Sequence, residues 1–216
     1  MLNRRFRFGS LIVLVVMSRP LLAQQSCESL SGLKLAHTTI TASTLISAGP
    51  LSNTQALTVP AHCEVKGVIR PTKDSEIKFA VWLPPAGWNG KYVQNGNGGW
   101  AGNIPYRNMI DPLSRGYATA ATDDGHEGGA GADWAIGHPE KLIDFGYRAV
   151  HETSVQAKAI VRAFYGRDPS LSYFVGCSDG GREALMEAQR YPDEFNGIIA
   201  GAPANNWSHL FTGFVW

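Results

Sequence analysis

The stretch from Phe174 to Leu185 constrains the fold more than any other, because it joins a short apolar strand, a glycine-flanked turn and the start of a helix. The turn reads Gly176-Cys177-Ser178-Asp179-Gly180 and matches the G-x-S-x-G pattern of a nucleophile elbow. The flanking glycines let neighbouring backbone pass closely, and the following helix directs its N–H groups at developing negative charge. The pattern predicts Ser178 as a nucleophile. The alternative is a glycine-rich turn with a capping serine.

The context of the turn favours the nucleophile. Residues 171–175 are strand-like, and Gly181, Ala184 and Ala188 place small side chains on one face of the helix. Such a face lets the helix pack close to a sheet.

A longer set of motifs resembles the tannase and feruloyl esterase family, which also includes an enzyme acting on a terephthalate monoester. The motifs are Gly176-Cys177-Ser178-Asp179-Gly180-Gly181-Arg182, Met186-Glu187-Ala188-Gln189-Arg190-Tyr191-Pro192 and Phe195-Asn196-Gly197-Ile198-Ile199-Ala200-Gly201-Ala202-Pro203-Ala204. The resemblance runs from about Cys27 to Trp216. It implies a serine carboxylic ester hydrolase that cleaves esters of aromatic hydroxy acids, of the feruloyl or galloyl type, through an acyl-enzyme on Ser178.

Length and charge limit the other classes of function. The chain has 216 residues, enough for one domain with a sizeable core. Its 19 Lys and Arg balance 18 Asp and Glu without a basic stripe, so we expect no nucleic-acid partner. The sequence leaves the oligomeric state open.

The first 23 residues predict a signal peptide rather than part of the fold. A basic start with Arg4, Arg5 and Arg7 precedes an apolar run over residues 11–17. That run is too short to span a bilayer. We therefore expect cleavage near Ala23, export to the periplasm or the medium, and no membrane association of residues 24–216. The alternative is a buried N-terminal element.

Export permits disulfides, and the sequence has three cysteines. Cys27 and Cys63 flank the N-terminal region and are predicted to pair, with two reduced core cysteines as the alternative. The odd count leaves Cys177 unpaired. In the resembling family, the cysteine before the nucleophile bonds one just before the catalytic histidine, and that partner is not found here.

Strands and helices alternate along the chain. We expect strands over residues 62–70, 76–84, 91–95, 117–122, 171–175 and 197–200, and helices over 104–115, after Ser178, and from Asp144, as the cap, to Tyr165 with Gly166 ending it. This order predicts an α/β-hydrolase fold, a doubly wound and mostly parallel sheet whose first strands are antiparallel.

The glycine-rich loop over residues 96–102 follows a predicted strand. It has no P-loop pattern and no Lys or Arg, which argues against a phosphate site. In an α/β-hydrolase the corresponding loop supplies one oxyanion-hole N–H, and the residue after the nucleophile supplies the other. We assign these roles to Gly98 or Gly99 and to Asp179. The alternative for the loop is a flexible turn.

Two histidine segments invite other interpretations. Asp123-Asp124-Gly125-His126 could suggest a triad or a metal site, but further ligands at suitable spacing are lacking, so we predict no metal site. We expect this segment to order its loop by hydrogen bonds. His151 is predicted to be a surface or hydrogen-bonded residue.

The sequence offers no clear catalytic base to complete a triad with Ser178. The triad order places the acid and the histidine after the serine, and only His209 follows Ser178. The family's acid, its histidine and a lid with a structural calcium would fall beyond Trp216. We therefore expect the N-terminal part of a catalytic domain, with no cofactor in this chain and little esterase activity alone. The alternatives are a serine peptidase or acyltransferase on the same fold, and a non-catalytic domain.

Overall fold

A computed structural model describes residues 24–51, 54–128 and 131–215. The predicted signal peptide, residues 1–23, lies outside the described residues.

Strands and helices alternate through most of the described chain. The strands are β1 (Thr38–Ile46), β2 (Gly49–Leu51), β3 (Thr54–Val59), β4 (His62–Ile69), β5 (Ile77–Leu83), β6 (Lys91–Asn95), β7 (Ala118–Thr122), β8 (Leu171–Cys177) and β9 (Gly197–Gly201). The helices are α1 (Tyr106–Ser114), α2 (Pro139–Ile143), α3 (Ala149–Tyr165), α4 (Asp179–Arg190) and α5 (Trp207–Phe214), with 3-10 turns at Glu28–Gly32 and Asp133–Ala135.

Seven of the strands form one mixed sheet in the order β1-β4-β5-β7-β6-β8-β9, and β2 and β3 pair separately. The pairs from β1 to β7 are antiparallel, whereas β7-β6, β6-β8 and β8-β9 are parallel. This confirms the predicted doubly wound sheet with antiparallel first strands. The chain leaves β6 for β7 on one side and returns to β8 on the other. Ligands of open α/β sheets bind at the carboxyl ends of strands beside such a reversal.

Helices cover both faces of the sheet, because successive strand residues point to opposite sides. Ile160 and Phe164 of α3 and Ala184 of α4 belong to the larger core, together with Val81. Met109 and Leu113 of α1 pack with the neighbouring strand residues Ala80, Trp82 and Ala121 on the opposite face. The site at the strand ends is thus built on a two-sided core.

The predicted disulfide links the N-terminal region to the sheet. Cys27 and Cys63 are bonded, with their Cα atoms 5.5 Å apart, and both side chains are buried. The bond joins the 3-10 turn that begins at Glu28 to the first residues of β4. The prediction of this pair is confirmed.

The predicted cap at Asp144 is wrong. Helical structure begins at Pro139 and runs through a π-turn, Asp144–Arg148, directly into α3. Asp144 is fully buried and its Oδ1 accepts a hydrogen bond from Arg148 Nε at 2.6 Å. The carboxylate therefore serves an ion pair inside the helix. Gly166, with a φ of 72°, ends α3 as predicted.

No helix in the described residues combines the length and the apolar character needed to cross a membrane.

Candidate active site

Ser178 lies at the sharp turn between β8 and α4 and has a left-handed backbone, with φ 61° and ψ −117°. Three backbone hydrogen bonds hold it: its N–H donates to Gly201 O (3.0 Å), and its carbonyl accepts from Arg182 N (3.1 Å) and Ala204 N (2.8 Å). The residue is exposed. A non-glycine residue in this conformation stores strain and persists only where the surroundings impose it.

The flanking glycines leave no room for a side chain. A Cβ at Gly176 would lie 2.1 Å from the backbone oxygen of Gly180, and a Cβ at Gly180 would lie 2.8 Å from Asn97 O. The turn therefore needs glycine at both positions for close backbone approach.

The glycine-rich loop after β6 begins against this turn. Gly96 N donates to Val175 O at 2.9 Å, and Gly180 N donates to Asn97 O at 2.9 Å. Gly98 and Gly99 follow and are exposed. The Asp179 N–H is in the first turn of α4, where no intrahelical acceptor exists. The donors predicted for an oxyanion hole thus come from two segments that touch.

Only the backbone N–H of Asp179 is predicted for the oxyanion hole. Its side-chain carboxylate pairs with Arg182. Arg182 Nε donates to Asp179 Oδ1 at 2.6 Å and Nη2 to Oδ2 at 3.1 Å. The same guanidinium donates to the carbonyls of Gly146 and Phe145 and stacks over the Phe145 ring at 4.4 Å. Sequence reasoning missed this pair, although its i,i+3 spacing at a helix start was a signal.

The Asp123–His126 segment orders its loop, as predicted. Asp123 Oδ1 accepts from Lys78 N and Gly125 N, both at 2.9 Å. Burial nevertheless raises the pKa of Asp123 to about 7. His126 stacks on Trp134 at 3.8 Å, and burial lowers the pKa of its imidazole.

A buried group of three carboxyls was not foreseen. Oxygens of Asp124, Asp179 and Glu183 lie within 4.8 Å of one another, and each side chain is at most 2% exposed. A cation here would compete with Arg182 for the Asp179 carboxylate. Because the Asp179 carboxylate is already paired with Arg182, the group does not fit the structural calcium that the resemblance implies.

None of the six histidines is hydrogen-bonded to the Ser178 hydroxyl. Four have other partners: His62 (Pro60 O), His138 (Asp74), His151 (Glu194) and His209 (Asn206). His126 and His37 have no hydrogen bond to Ser178 either. His151 Nδ1 is 3.1 Å from Glu194 Oε1 and its ring stacks on Tyr191, which fits its predicted non-catalytic role.

An aromatic cluster borders the N-terminal end of α4. The Trp100 ring lies 4.9 Å from Trp207, 5.7 Å from Phe211 and 6.2 Å from Phe145. These side chains come from the loop after β6, the segment before α3, and α5. The sequence carried no sign that these side chains, from segments far apart along the chain, converge on Trp100.

The remaining cysteine, Cys177, is a free and exposed thiol directly before Ser178.

Comparison of the sequence and the structure with known proteins identifies esterases as relatives. The family model for tannase and feruloyl esterase matches residues 63–216. An uncharacterized esterase of Xanthomonas campestris pv. campestris is 48% identical over 198 residues, which cover 90% of this chain and 34% of the relative. A probable feruloyl esterase B-2 of Aspergillus terreus is 37% identical over 150 residues, 69% of this chain and 28% of the relative.

Among solved structures, feruloyl esterase B from Aspergillus oryzae superposes with a TM-score of 0.78 at 32% identity, covering 85% of this chain and 38% of that one. The chain therefore spans about a third of the length of the relatives that it matches.

Proposed function

The chain belongs to the tannase and feruloyl esterase family, and from that premise we propose that Ser178 is the nucleophile of a serine carboxylic ester hydrolase. The strained, exposed conformation of Ser178 between β8 and α4 carries this proposal. A nucleophile elbow needs this geometry, whereas a capping serine does not.

The reaction proceeds in two steps. The Ser178 oxygen attacks the ester carbonyl and expels the alcohol, which leaves an acyl-enzyme that water then hydrolyses. The N–H groups of Asp179 and of Gly98 or Gly99 stabilise the oxyanion.

Esters of aromatic hydroxy acids are the proposed substrates. The aromatic cluster around Trp100 supports this class, since aromatic rings stack favourably on one another. The names of the feruloyl esterase relatives point the same way. The disulfide and the signal-like N-terminus support export, because disulfides persist in oxidising compartments.

Fluorophosphonate labelling tests the nucleophile. Because no histidine of the described residues is bonded to Ser178, the reagent is used in excess with long exposure, and the oxyanion hole leaves residual reactivity. Mass spectrometry of the treated protein should then place the adduct on Ser178 and find none in Ser178→Ala. An adduct on another residue, with Ser178→Ala as reactive as the parent, would refute the assignment.

Turnover tests the base. Within the described residues no histidine is hydrogen-bonded to Ser178 to accept its proton as it attacks, so residues 24–216 should hydrolyse methyl ferulate and a p-nitrophenyl ester only slowly. Loss of the histidine costs about 10⁶ in turnover in a well-studied serine hydrolase. Ordinary esterase turnover that Ser178→Ala abolishes would show that a histidine of this chain acts as the base.

A further inference from the structure

The Glu183 side chain lies beneath the start of the loop that carries Gly98 and Gly99. It stands in the first turns of α4 and is 2% exposed. Its Oε2 accepts a hydrogen bond from Asn97 N at 3.1 Å. A Cβ on Gly96 would lie 2.7 Å from the same oxygen, so the loop rests directly on this carboxyl group.

Asp124 approaches the same point from the loop after β7. Its side chain is fully buried, and neither of its oxygens has a hydrogen-bond donor among the described residues; Glu183 Oε1 also has none. Oxygens of the two carboxyls lie within 4.8 Å of each other. Ionised carboxylates only accept hydrogen bonds, so one of the two must carry a proton for them to satisfy each other.

The charges nearby do not neutralise the pair. Arg182 is the adjacent cation, but both oxygens of Asp179 engage it. His126 adds no dependable positive charge because burial lowers its pKa. Glu187, farther along α4, adds no positive charge either, since burial raises its own pKa to about 10 and keeps it neutral at pH 7. Two carboxyls that share a buried site cannot both ionise readily. Burial is the main cause that raises the pKa of both Asp124 and Glu183.

We propose that Asp124 and Glu183 share one proton, and that this pair clamps the loop of Gly98 and Gly99 to α4, which makes Glu183 a positioning residue for the oxyanion hole. The Asp124 O–H donates to Glu183, whose other oxygen accepts from Asn97. Three segments, the loops after β6 and β7 and the helix after the nucleophile, are thereby joined by one proton. The inference rests on the proposed function of this loop.

Variants of Glu183 distinguish the effect of its hydrogen bonds from the effect of its side-chain size. In Glu183→Gln the amide oxygen can accept from Asn97 while the NH₂ donates to an Asp124 carboxylate, so the clamp should survive without a shared proton. The leucine in Glu183→Leu has a similar size but neither a hydrogen-bond acceptor for Asn97 nor a donor for Asp124. Glu187→Gln is the matched control, because Glu187 is fully buried on the same helix and neither of its carboxyl oxygens has a hydrogen-bond donor among the described residues.

The first readout is the Asn97 amide in NMR spectra of residues 24–216, which requires no turnover. Glu183→Leu should move this resonance and speed its hydrogen exchange by about tenfold or more, as loss of a hydrogen bond to a charged group implies. Glu183→Gln and Glu187→Gln should keep slow exchange. Unchanged exchange in a folded Glu183→Leu would overturn the proposal.

The second readout is the carboxyl carbon resonances of the parent protein across pH, assigned with Asp124→Asn and Glu183→Gln. The pair should retain one proton at about pH 7, where ordinary Asp and Glu are ionised. Two independent titrations near ordinary values would overturn the proposal, even if Glu183→Leu fails to fold. Stoichiometric displacement of the proton by added Ca²⁺ would also overturn it, in favour of a cation site.

Labelling of Ser178 then links the pair to the oxyanion hole. Glu183→Leu should slow fluorophosphonate labelling by about 10- to 100-fold, somewhat less than removal of an oxyanion donor, and Glu183→Gln should restore it. Equal labelling rates in all three proteins would overturn the positioning role. An adduct away from Ser178 beside a confirmed shared proton would instead refute the proposed function alone.

Discussion

The strain at Ser178 predicts that removing its side chain altogether stabilises the fold. Its φ of 61° and ψ of −117° lie in a region that glycine enters freely but other residues enter at about 1–3 kcal/mol. Ser178→Gly relieves this strain and loses about 0.4–1 kcal/mol through the greater entropy of the unfolded chain. Ser178→Ala keeps the strain and removes only an exposed hydroxyl.

Ser178→Gly should therefore exceed Ser178→Ala in free energy of unfolding by about 1.3 kcal/mol at the midpoints of these ranges, and about 0–2.6 kcal/mol at their extremes. The midpoint corresponds to roughly 3–5 °C in Tm for a chain of this size. Urea unfolding measures the difference, provided that the slope with denaturant stays constant. Both variants should lose fluorophosphonate labelling.

An exposed serine without a left-handed backbone supplies the control. Ser47 lies between β1 and β2, is exposed, and is absent from the residues with positive φ. There the order should reverse, with Ser47→Gly less stable than Ser47→Ala. If Ser178→Gly is no more stable than Ser178→Ala while Ser47 behaves as expected, the elbow is not strained and the argument for a nucleophile loses its main support.

Three further outcomes follow from the described contacts. Gly176→Ala should destabilise by about 1–3 kcal/mol or more in urea unfolding, because its Cβ would lie 2.1 Å from a backbone oxygen; Gly98→Ala, with nothing within 4 Å, is the control. Replacing Cys27 and Cys63 by serine should cost about 2–4 kcal/mol, and peptide mapping without reductant should recover the linked pair in the parent. Burial raises the pKa of Glu187 from 4.5 to about 10, so its neutral form stabilises the fold below pH 4.5 and that contribution falls as pH rises toward 10. Glu187→Gln should therefore gain stability over the parent with increasing pH across this window, and parallel pH profiles would contradict the shift.

Much of the fold could be predicted from local patterns. The alternation in residues 76–84 marked β5, and the strand, turn and helix around Ser178 formed as the motif predicts. The start of the long helix was misplaced because Asp144 resembled a cap. Pro139, at the first helical position, was the better signal, since its fixed φ and missing N–H suit that site.

The buried carboxyls could not be predicted in the same way. Asp124 and Glu183 stand on different segments, and sequence alone does not show which side chains share a buried space. Charged residues usually lie on the surface, so the ordinary expectation for both was exposure. Only the packing of the two loops on α4 brings them together.

Register explains why two glycine-rich segments far apart in sequence meet at one point. β6 and β8 pair in parallel with Asn95 opposite Val175, so both strands end at the same edge of the sheet. Gly96 N donates to Val175 O, which starts the loop of Gly98 and Gly99 level with Gly176. A shift of one residue would turn alternate side chains to the other face and remove Tyr92 and Phe174 from the core. Burial of these two aromatic rings therefore fixes the register, and the register brings the start of the loop of Gly98 and Gly99 against the turn that carries Ser178.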